Sequence, residues 1–293
     1  MKDFEYHSPA TLEEACQLLK KYDGQAKVLA GGTDVIPGMY HREIVPEQVI
    51  NIKKIQGLNF IANEESRGLV LGPLVTFNEI IYSPIIEKHY PILKEVSEKI
   101  ASHQVRNLAT IGGNLCNAAP SADSAPILIA LDSEVTLVGP GGKERTLSLE
   151  KFLIGPGETA LGPGEILTQI HIPLLKPRTG LSYLKQTTRQ ALEIAVVGVA
   201  ALVRLEKKTE KCSSARLVVG ACAPTPLLIP AAEEILIGKK IGDQDIEAAA
   251  EAASDAVEPI TDVRASELYR KEMVRVQCKR ALAEAISRAK SSP

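Results

Sequence analysis

Two glycine pairs are the residues of this chain best suited to holding a ligand. Gly31-Gly32 follows the apolar run Lys27-Val28-Leu29-Ala30 and leads into Thr33-Asp34, while Gly112-Gly113 follows Ala109-Thr110-Ile111 and leads into Asn114. A glycine pair after a strand turns the backbone tightly and brings bare N–H groups against a ligand. Successive amides supply fixed partial positive charge, which suits a phosphate or pyrophosphate. Thr33 and Thr110 set hydroxyls at matched places, one after and one before its pair. Asp34 is a poor neighbour for a phosphate and is expected to cap loop amides or to meet a sugar hydroxyl. Neither pair belongs to a G-x-G-x-x-G fingerprint, and Gly142-Lys143 is followed by Glu144 where a P-loop needs Ser or Thr. The residues alone read as a diphosphate-binding protein, with two ordinary turns as the alternative.

The elements that must position these loops are legible around them. Thr11-Leu12-Glu13-Glu14 reads as a capping box that opens a helix with apolar residues at helical spacing, ended by Gly24. Lys27–Ala30 is then a short strand running into the first glycine pair. Val49–Ile52 and Leu69–Gly72 read as further strands, and Thr76-Phe77-Asn78-Glu79 as a second capping box. Pro91–Ile100 has helical periodicity, the second glycine pair reads as a loop, and Ala125–Leu131 is an apolar helix followed by strands near Glu134–Val138 and Arg145–Leu147. A proline- and glycine-rich stretch from Gly155 to Pro177 puts a domain boundary near Pro173–Gly180. Beyond it, Leu181–Gln186, Ile194–Leu205 and Ser214–Ala221 read as antiparallel strands. Helices over Asp243–Ala256 and Ala265–Ala289 close the chain.

Composition removes several functions. The net charge is −2 and aromatics make up 4%, with no Trp, so neither a basic nucleic-acid surface nor a stacking platform is expected. No apolar run reaches the length of a membrane span, and the N-terminus is polar where a leader would be apolar, so a cytoplasmic address is expected. The five cysteines (Cys16, Cys116, Cys212, Cys222, Cys278) are scattered and never form Cys-x-x-Cys, which argues for reduced thiols and against an iron–sulfur or zinc site. A redox centre in such a chain would be organic. No Ser/His/Asp or paired-carboxylate arrangement stands out; His103 reads as a loop hydrogen-bonder, and Arg189 with Glu193 as a local pair or a partner-facing one.

Leu29-Ala30-Gly31-Gly32-Thr33-Asp34, followed by Arg106-Asn107-Leu108-Ala109-Thr110-Ile111-Gly112-Gly113-Asn114, resembles the FAD-binding medium subunit of the xanthine dehydrogenase and carbon monoxide dehydrogenase family of molybdenum hydroxylases. The likeness continues through Ala119-Pro120-Ser121-Ala122-Asp123, Leu161-Gly162-Pro163-Gly164-Glu165-Ile166, Leu184-Lys185-Gln186-Thr187 and Pro224-Thr225-Pro226, in order along nearly the whole chain. It implies an α+β fold: residues 1–177 as a two-lobed FAD-binding domain of the vanillyl-alcohol oxidase type, and residues 178–289 as a smaller domain with a three-stranded antiparallel sheet and helices. It also implies that Leu29, Ala30, Gly31, Gly32, Thr33, Asp34, Val35 and Ile36, with Thr110, Ile111, Gly112, Gly113 and Asn114, give amides and hydroxyls to the pyrophosphate and ribityl chain of FAD. Asp123 falls where a carboxylate meets the sugar part, Leu161 where backbone approaches the isoalloxazine, and Lys185 beside the flavin. Read without the resemblance, Asp123 is equally an N-cap, Leu161 plain core and Lys185 a solvated strand residue.

The function implied is electron relay. Partner subunits would carry the 2Fe–2S clusters and the molybdopterin, and this chain's FAD would pass electrons to NAD or another acceptor. Thr33-Asp34 and Asn114 lean toward the xanthine and nicotinate dehydrogenases; a carbon monoxide dehydrogenase medium subunit is the alternative within the family. A self-contained flavin oxidoreductase and a cofactor-less assembly subunit are the rivals outside it.

Overall fold

A computed structural model describes residues 1–189 and 192–292. The first lobe is built from β1 (Glu5–His7), α1 (Leu12–Lys21), β2 (Ala26–Leu29), α2 (Val35–His41) and β3 (Gln48–Asn51), with the strands parallel in the order β1-β3-β2. Thr11 caps α1 through its hydroxyl, which accepts from the Glu14 amide at 3.2 Å, while Glu14 reaches back to the Ala10 amide, one residue further than a full box requires. Ala15, Cys16, Ile50 and Ile52 bury the inner face of this lobe.

The second lobe begins with β4 (Ile61–Glu64) and β5 (Gly68–Leu71). A helical run follows: α3 (Phe77–Tyr82), α4 (Pro84–His89), α5 (Pro91–Glu98), α6 (His103–Arg106), α7 (Ile111–Asn117) and α8 (Ser124–Ala130). Then come β6 (Glu134–Gly139), β7 (Lys143–Ser148), α9 (Leu149–Phe152), β8 (Leu153–Gly155), β9 (Glu158–Thr159) and β10 (Ile166–Pro173). The antiparallel sheet has the order β4-β5-β10-β6-β7, so β10 is its central strand. The Thr76–Glu79 capping box forms in full. The second glycine pair is not a loop: Gly112 and Gly113 lie in the first turn of α7, capped by Thr110.

The C-terminal part consists of β11 (Thr179–Gln186), β12 (Val197–Leu205), β13 (Cys212–Gly220), β14 (Leu227–Leu228), α10 (Pro230–Leu236), α11 (Asp243–Ala256) and α12 (Glu267–Ser291). The three long antiparallel strands expected there are joined at the edge by the two-residue β14, which makes a four-stranded sheet. Successive side chains of a strand point to opposite faces. On β12, Val197, Val199, Ala201 and Val203 pack with the C-terminal helices, while Ala200 packs into the core of the second lobe beside α8. The run Val197–Leu205 is apolar on both faces because the sheet is covered on both.

Candidate functional site

The two lobes and the start of the C-terminal sheet enclose a cavity of about 800 Å³, near the upper end of the range for small-molecule and cofactor sites. Ala30, Gly31, Gly32, Thr33, Asp34 and Val35 line it from the β2–α2 connection. Thr110, Gly112, Gly113 and Asn114 line it from α7, with Asp123, Leu161 and Lys185 completing the set. Three expected residues stand outside the wall. Leu29 packs with Met39 and Val49, Ile111 belongs to the main core, and Ile36 is exposed on α2.

The glycines keep this wall thin. A Cβ on Gly31 would lie 2.1 Å from the Leu108 carbonyl oxygen, so only glycine lets the β2–α2 connection approach the segment before α7 this closely. Gly32 has φ +81°, in the left-handed region that side chains avoid. The consequence is a row of unused donors: among the described residues, the amides of Gly31, Gly32, Thr33, Asp34 and Val35 donate to no protein oxygen. Asp34 does not cap them; it makes no side-chain cap bond, and its carboxylate accepts from the Thr33 hydroxyl at 3.3 Å.

The second glycine pair is committed otherwise. The Ile111 amide donates to the Val75 carbonyl (2.9 Å), Gly112 to Pro73 (3.0 Å), Asn114 to the Thr110 carbonyl (2.9 Å), and Gly113 to the Thr110 hydroxyl (3.1 Å). Of the backbone amides expected from Thr110 to Asn114, the four from Ile111 to Asn114 are thus taken by protein oxygens, and only that of Thr110 donates to no protein oxygen among the described residues. What this segment offers is side-chain chemistry. The Thr110 hydroxyl keeps its proton to donate, and the Ser124 hydroxyl holds the Asn114 amide oxygen at 2.6 Å, leaving the Asn114 NH₂ as a donor.

Asp123 and Lys185 form a buried ion pair on the wall. Asp123 occupies the N-cap position of α8 yet makes no side-chain cap bond. One carboxylate oxygen accepts from Lys185 Nζ at 2.8 Å and the other from the Tyr183 hydroxyl at 2.7 Å. Both charged side chains are 8% exposed, so Lys185 is no solvated strand residue. Burial raises the Asp123 carboxyl above its ordinary value, and the Lys185 ammonium and the two hydrogen bonds pull it back. Burial and the neighbouring Asp123 push the Tyr183 hydroxyl well above the usual phenol range. Tyr183 was missed from sequence, although it stands two residues before Lys185 and so shares its face of β11.

Leu161 lies on a turn braced by Glu165, which accepts from the Gly162 amide (2.6 Å) and from Arg145 Nε and Nη2 (2.7 and 2.6 Å). Cys116 also lines the cavity, but burial pushes its thiol up to about 12, so it is a neutral group at pH 7. His103 starts α6 with its ring against Tyr82, and its carbonyl accepts from Asn78. Exposed Arg189 pairs at 2.5 Å with the mostly buried Glu193, which lines the cavity. Among the described residues no helix is long and apolar enough to cross a membrane.

The arrangement can therefore hold an anionic ligand by amides at one segment and a hydroxyl-bearing, partly apolar one at the other. Residues 2–175 match the family model for the FAD binding domain in molybdopterin dehydrogenase, and residues 182–285 that for the CO dehydrogenase flavoprotein C-terminal domain. The chain is 35% identical to the xanthine dehydrogenase FAD-binding subunit of Escherichia coli O157:H7, over 99% of this chain and 98% of that one. It is also 35% identical to the carbon monoxide dehydrogenase medium chain of Hydrogenophaga pseudoflava, over 97% and 98%. Among solved structures, carbon monoxide dehydrogenase from Hydrogenophaga pseudoflava, in a form lacking the Mo-pyranopterin moiety of the molybdenum cofactor, matches with a TM-score of 0.94 and 36% identity, covering 98% of both chains. Quinoline 2-oxidoreductase from Pseudomonas putida 86 matches with a TM-score of 0.91 and 28% identity, covering 99% of both.

Proposed function

The chain belongs to the family of FAD-binding subunits of molybdopterin dehydrogenases, and from that premise we propose that it is the electron-relay subunit of a molybdenum hydroxylase. The observation that carries the cofactor assignment is the row of five unaccepted amides from Gly31 to Val35 on the wall of a cavity large enough for a dinucleotide. A diphosphate is the ligand chemistry that uses such a row, because each amide donates without a desolvated cation beside it. FAD, when bound, supplies the exchange between one-electron and two-electron steps.

The residues of the chain then divide the work. Gly31 to Val35 hold the diphosphate, and Thr110 and Asn114 donate from their side chains to the linking hydroxyls or to the ring edge. Asp123 has two of its lone pairs taken by protein donors and others left to accept from a sugar hydroxyl. Leu161 closes the apolar end. Lys185 sets its side-chain nitrogen on the cavity wall, and a cation at that place favours electron density on a ligand there. Residues 1–177 and 178–289 act as the FAD-binding and C-terminal domains in this proposal.

Partners follow from the relatives. An iron–sulfur subunit bearing 2Fe–2S clusters would deliver electrons, a molybdopterin subunit would bind the substrate, and NAD or another acceptor would take the electrons away. Relatives named for xanthine, carbon monoxide and nicotinate dehydrogenases match at 34–35% identity, so overall identity does not rank them. Thr33, Asp34 and Asn114 support the xanthine and nicotinate side. The test is purification from the native source: the complex should yield FAD, molybdenum and iron together. Substrate turnover by this chain alone would overturn the relay.

A further inference from the structure

The Asp123–Lys185 pair is held by residues that do not line the cavity. The Tyr183 hydroxyl donates to Asp123 at 2.7 Å from a fully buried ring. Lys185 Nζ donates both to Asp123 and, at 3.0 Å, to the Lys99 carbonyl. Lys99, at the end of α5, turns its own ammonium onto the Tyr183 carbonyl at 2.6 Å and lies over the Tyr183 ring, 5.5 Å from its centre. The bonds run in a closed circuit through Tyr183, Asp123, Lys185 and Lys99.

The sheet is cut away to admit this circuit. Lys185 on β11 is paired in register with Gly198 on β12, and Gly198 with Gly220 on β13. A Cβ on Gly198 would stand 2.7 Å from the Tyr183 hydroxyl, and one on Gly220 would stand 2.7 Å from Pro126 Cγ on α8. The two glycines thus let the Tyr183 hydroxyl and the first turn of α8, which begins beside Asp123, lie against the sheet.

We propose that Tyr183, from the C-terminal sheet, and Lys99, from the end of α5 in the second lobe, are positioning residues that together set the rotamers of the Asp123–Lys185 pair at the cofactor cavity. This rests on the placement of Asp123 at the sugar part of FAD proposed above. With the circuit closed, Lys185 has spent two of its three ammonium protons and Asp123 two of its lone pairs. The pair reaches the cavity already oriented, so binding does not have to order it.

The experiment is a double-mutant cycle on the full chain freed of flavin, with FAD affinity read by quenching of flavin fluorescence. Tyr183→Phe removes one donor to a charged acceptor, so affinity should fall roughly tenfold. In an Asp123→Ala background the same change should have almost no effect, because the residue through which Tyr183 acts is gone. Gly198→Ala crowds the hydroxyl (2.7 Å) far more than the ring carbons (3.4 and 3.5 Å), and should reproduce the loss with the phenol intact. The midpoint potential of the bound flavin should move in the same direction in Tyr183→Phe as in Asp123→Ala, which a merely structural loss would not produce. Wild-type affinity in both Tyr183→Phe and Gly198→Ala, or an undiminished Tyr183 effect without Asp123, overturns the inference. Wild-type affinity in Asp123→Ala would overturn instead the placement of Asp123 in the site.

Discussion

Replacing Lys185 by Met tests whether the Asp123–Lys185 pair is the buried ionic centre of this fold. Lys185 Nζ lies 2.8 Å from Asp123, and each side chain is 8% exposed. Removing the ammonium leaves a carboxylate under the core with only the Tyr183 hydroxyl as partner, and breaking a buried pair on one side costs about 3–5 kcal/mol. At roughly 2–4 °C of melting temperature per kcal/mol for chains of this size, Lys185→Met should unfold on the order of 10 °C below wild type. The double variant Asp123→Leu with Lys185→Met removes both charges and fills the space with apolar groups. Such exchanges are often neutral or stabilising by about 1–4 kcal/mol, so the double variant should melt at or above wild type. FAD retention should stay lost in it, which separates function from stability. The assay is thermal unfolding of the flavin-free chain followed by circular dichroism, for wild type, both single variants and the double. Melting of Lys185→Met within about 2 °C of wild type would refute the reasoning, since that shift is worth only about 1 kcal/mol.

The glycine positions should separate by mechanism. Gly31→Ala sets a Cβ 2.1 Å from the Leu108 carbonyl and should lower thermal stability by about 1–3 kcal/mol or more. Gly32→Val meets only the Leu29 and Ile36 side chains but must abandon φ +81°, so it should fold and lose flavin, visible as a colourless protein. FAD retention should weaken on acidification, because protonation removes the Asp123 carboxylate as an acceptor. Since the Asp123 pKa is raised, the loss begins above the ordinary value of 3.8, and equilibrium dialysis across mildly acidic pH should find it in wild type and not in Asp123→Asn. Burial pushes the Cys116 thiol at the cavity up to about 12, so it is almost wholly protonated at pH 7, and iodoacetamide should leave it unmodified by mass spectrometry while the chain stays folded.

Much of the scaffold could be read directly. Caps at Thr11 and Thr76, helical periodicity after Leu12, and the doubly apolar run of β12 are local signals; the two caps and the helix form where they are read, and the strand expected over Ile194–Leu205 begins at Val197. The central strand β10, Ile166–Pro173, went unread because glycine and proline crowd its flanks. Its alternation also meets two neighbours that come from distant parts of the chain. The helix α7 was hidden by its own glycines. Nothing local favours a helix through Gly112-Gly113; the segment is helical because Thr110 caps it and because Pro73 and Val75 accept its first amides. A Cβ on Gly112 would meet Pro73 at 2.4 Å, so that glycine serves packing between segments.

The two glycine pairs look equivalent in sequence, each beside a threonine and an apolar run, yet they are chemically opposite. An amide is a ligand site only while it lacks a protein acceptor, and whether it has one is decided by chain far away. Around Gly112 the carbonyls of Pro73 and Val75 arrive and close the amides; at Gly31 the Leu108 carbonyl lies where a side chain would be and takes no N–H, which leaves the amides open. The same distance in sequence hides the partner of Asp123. Local pattern offers it as an N-cap, and only the packing of the C-terminal sheet against α5 and α8 brings Tyr183 and Lys185 to its carboxylate. Residue types could therefore nominate the loops and the acid. Which loop carries the diphosphate, and that the acid is held by the C-terminal sheet, depends on contacts made only when the chain folds.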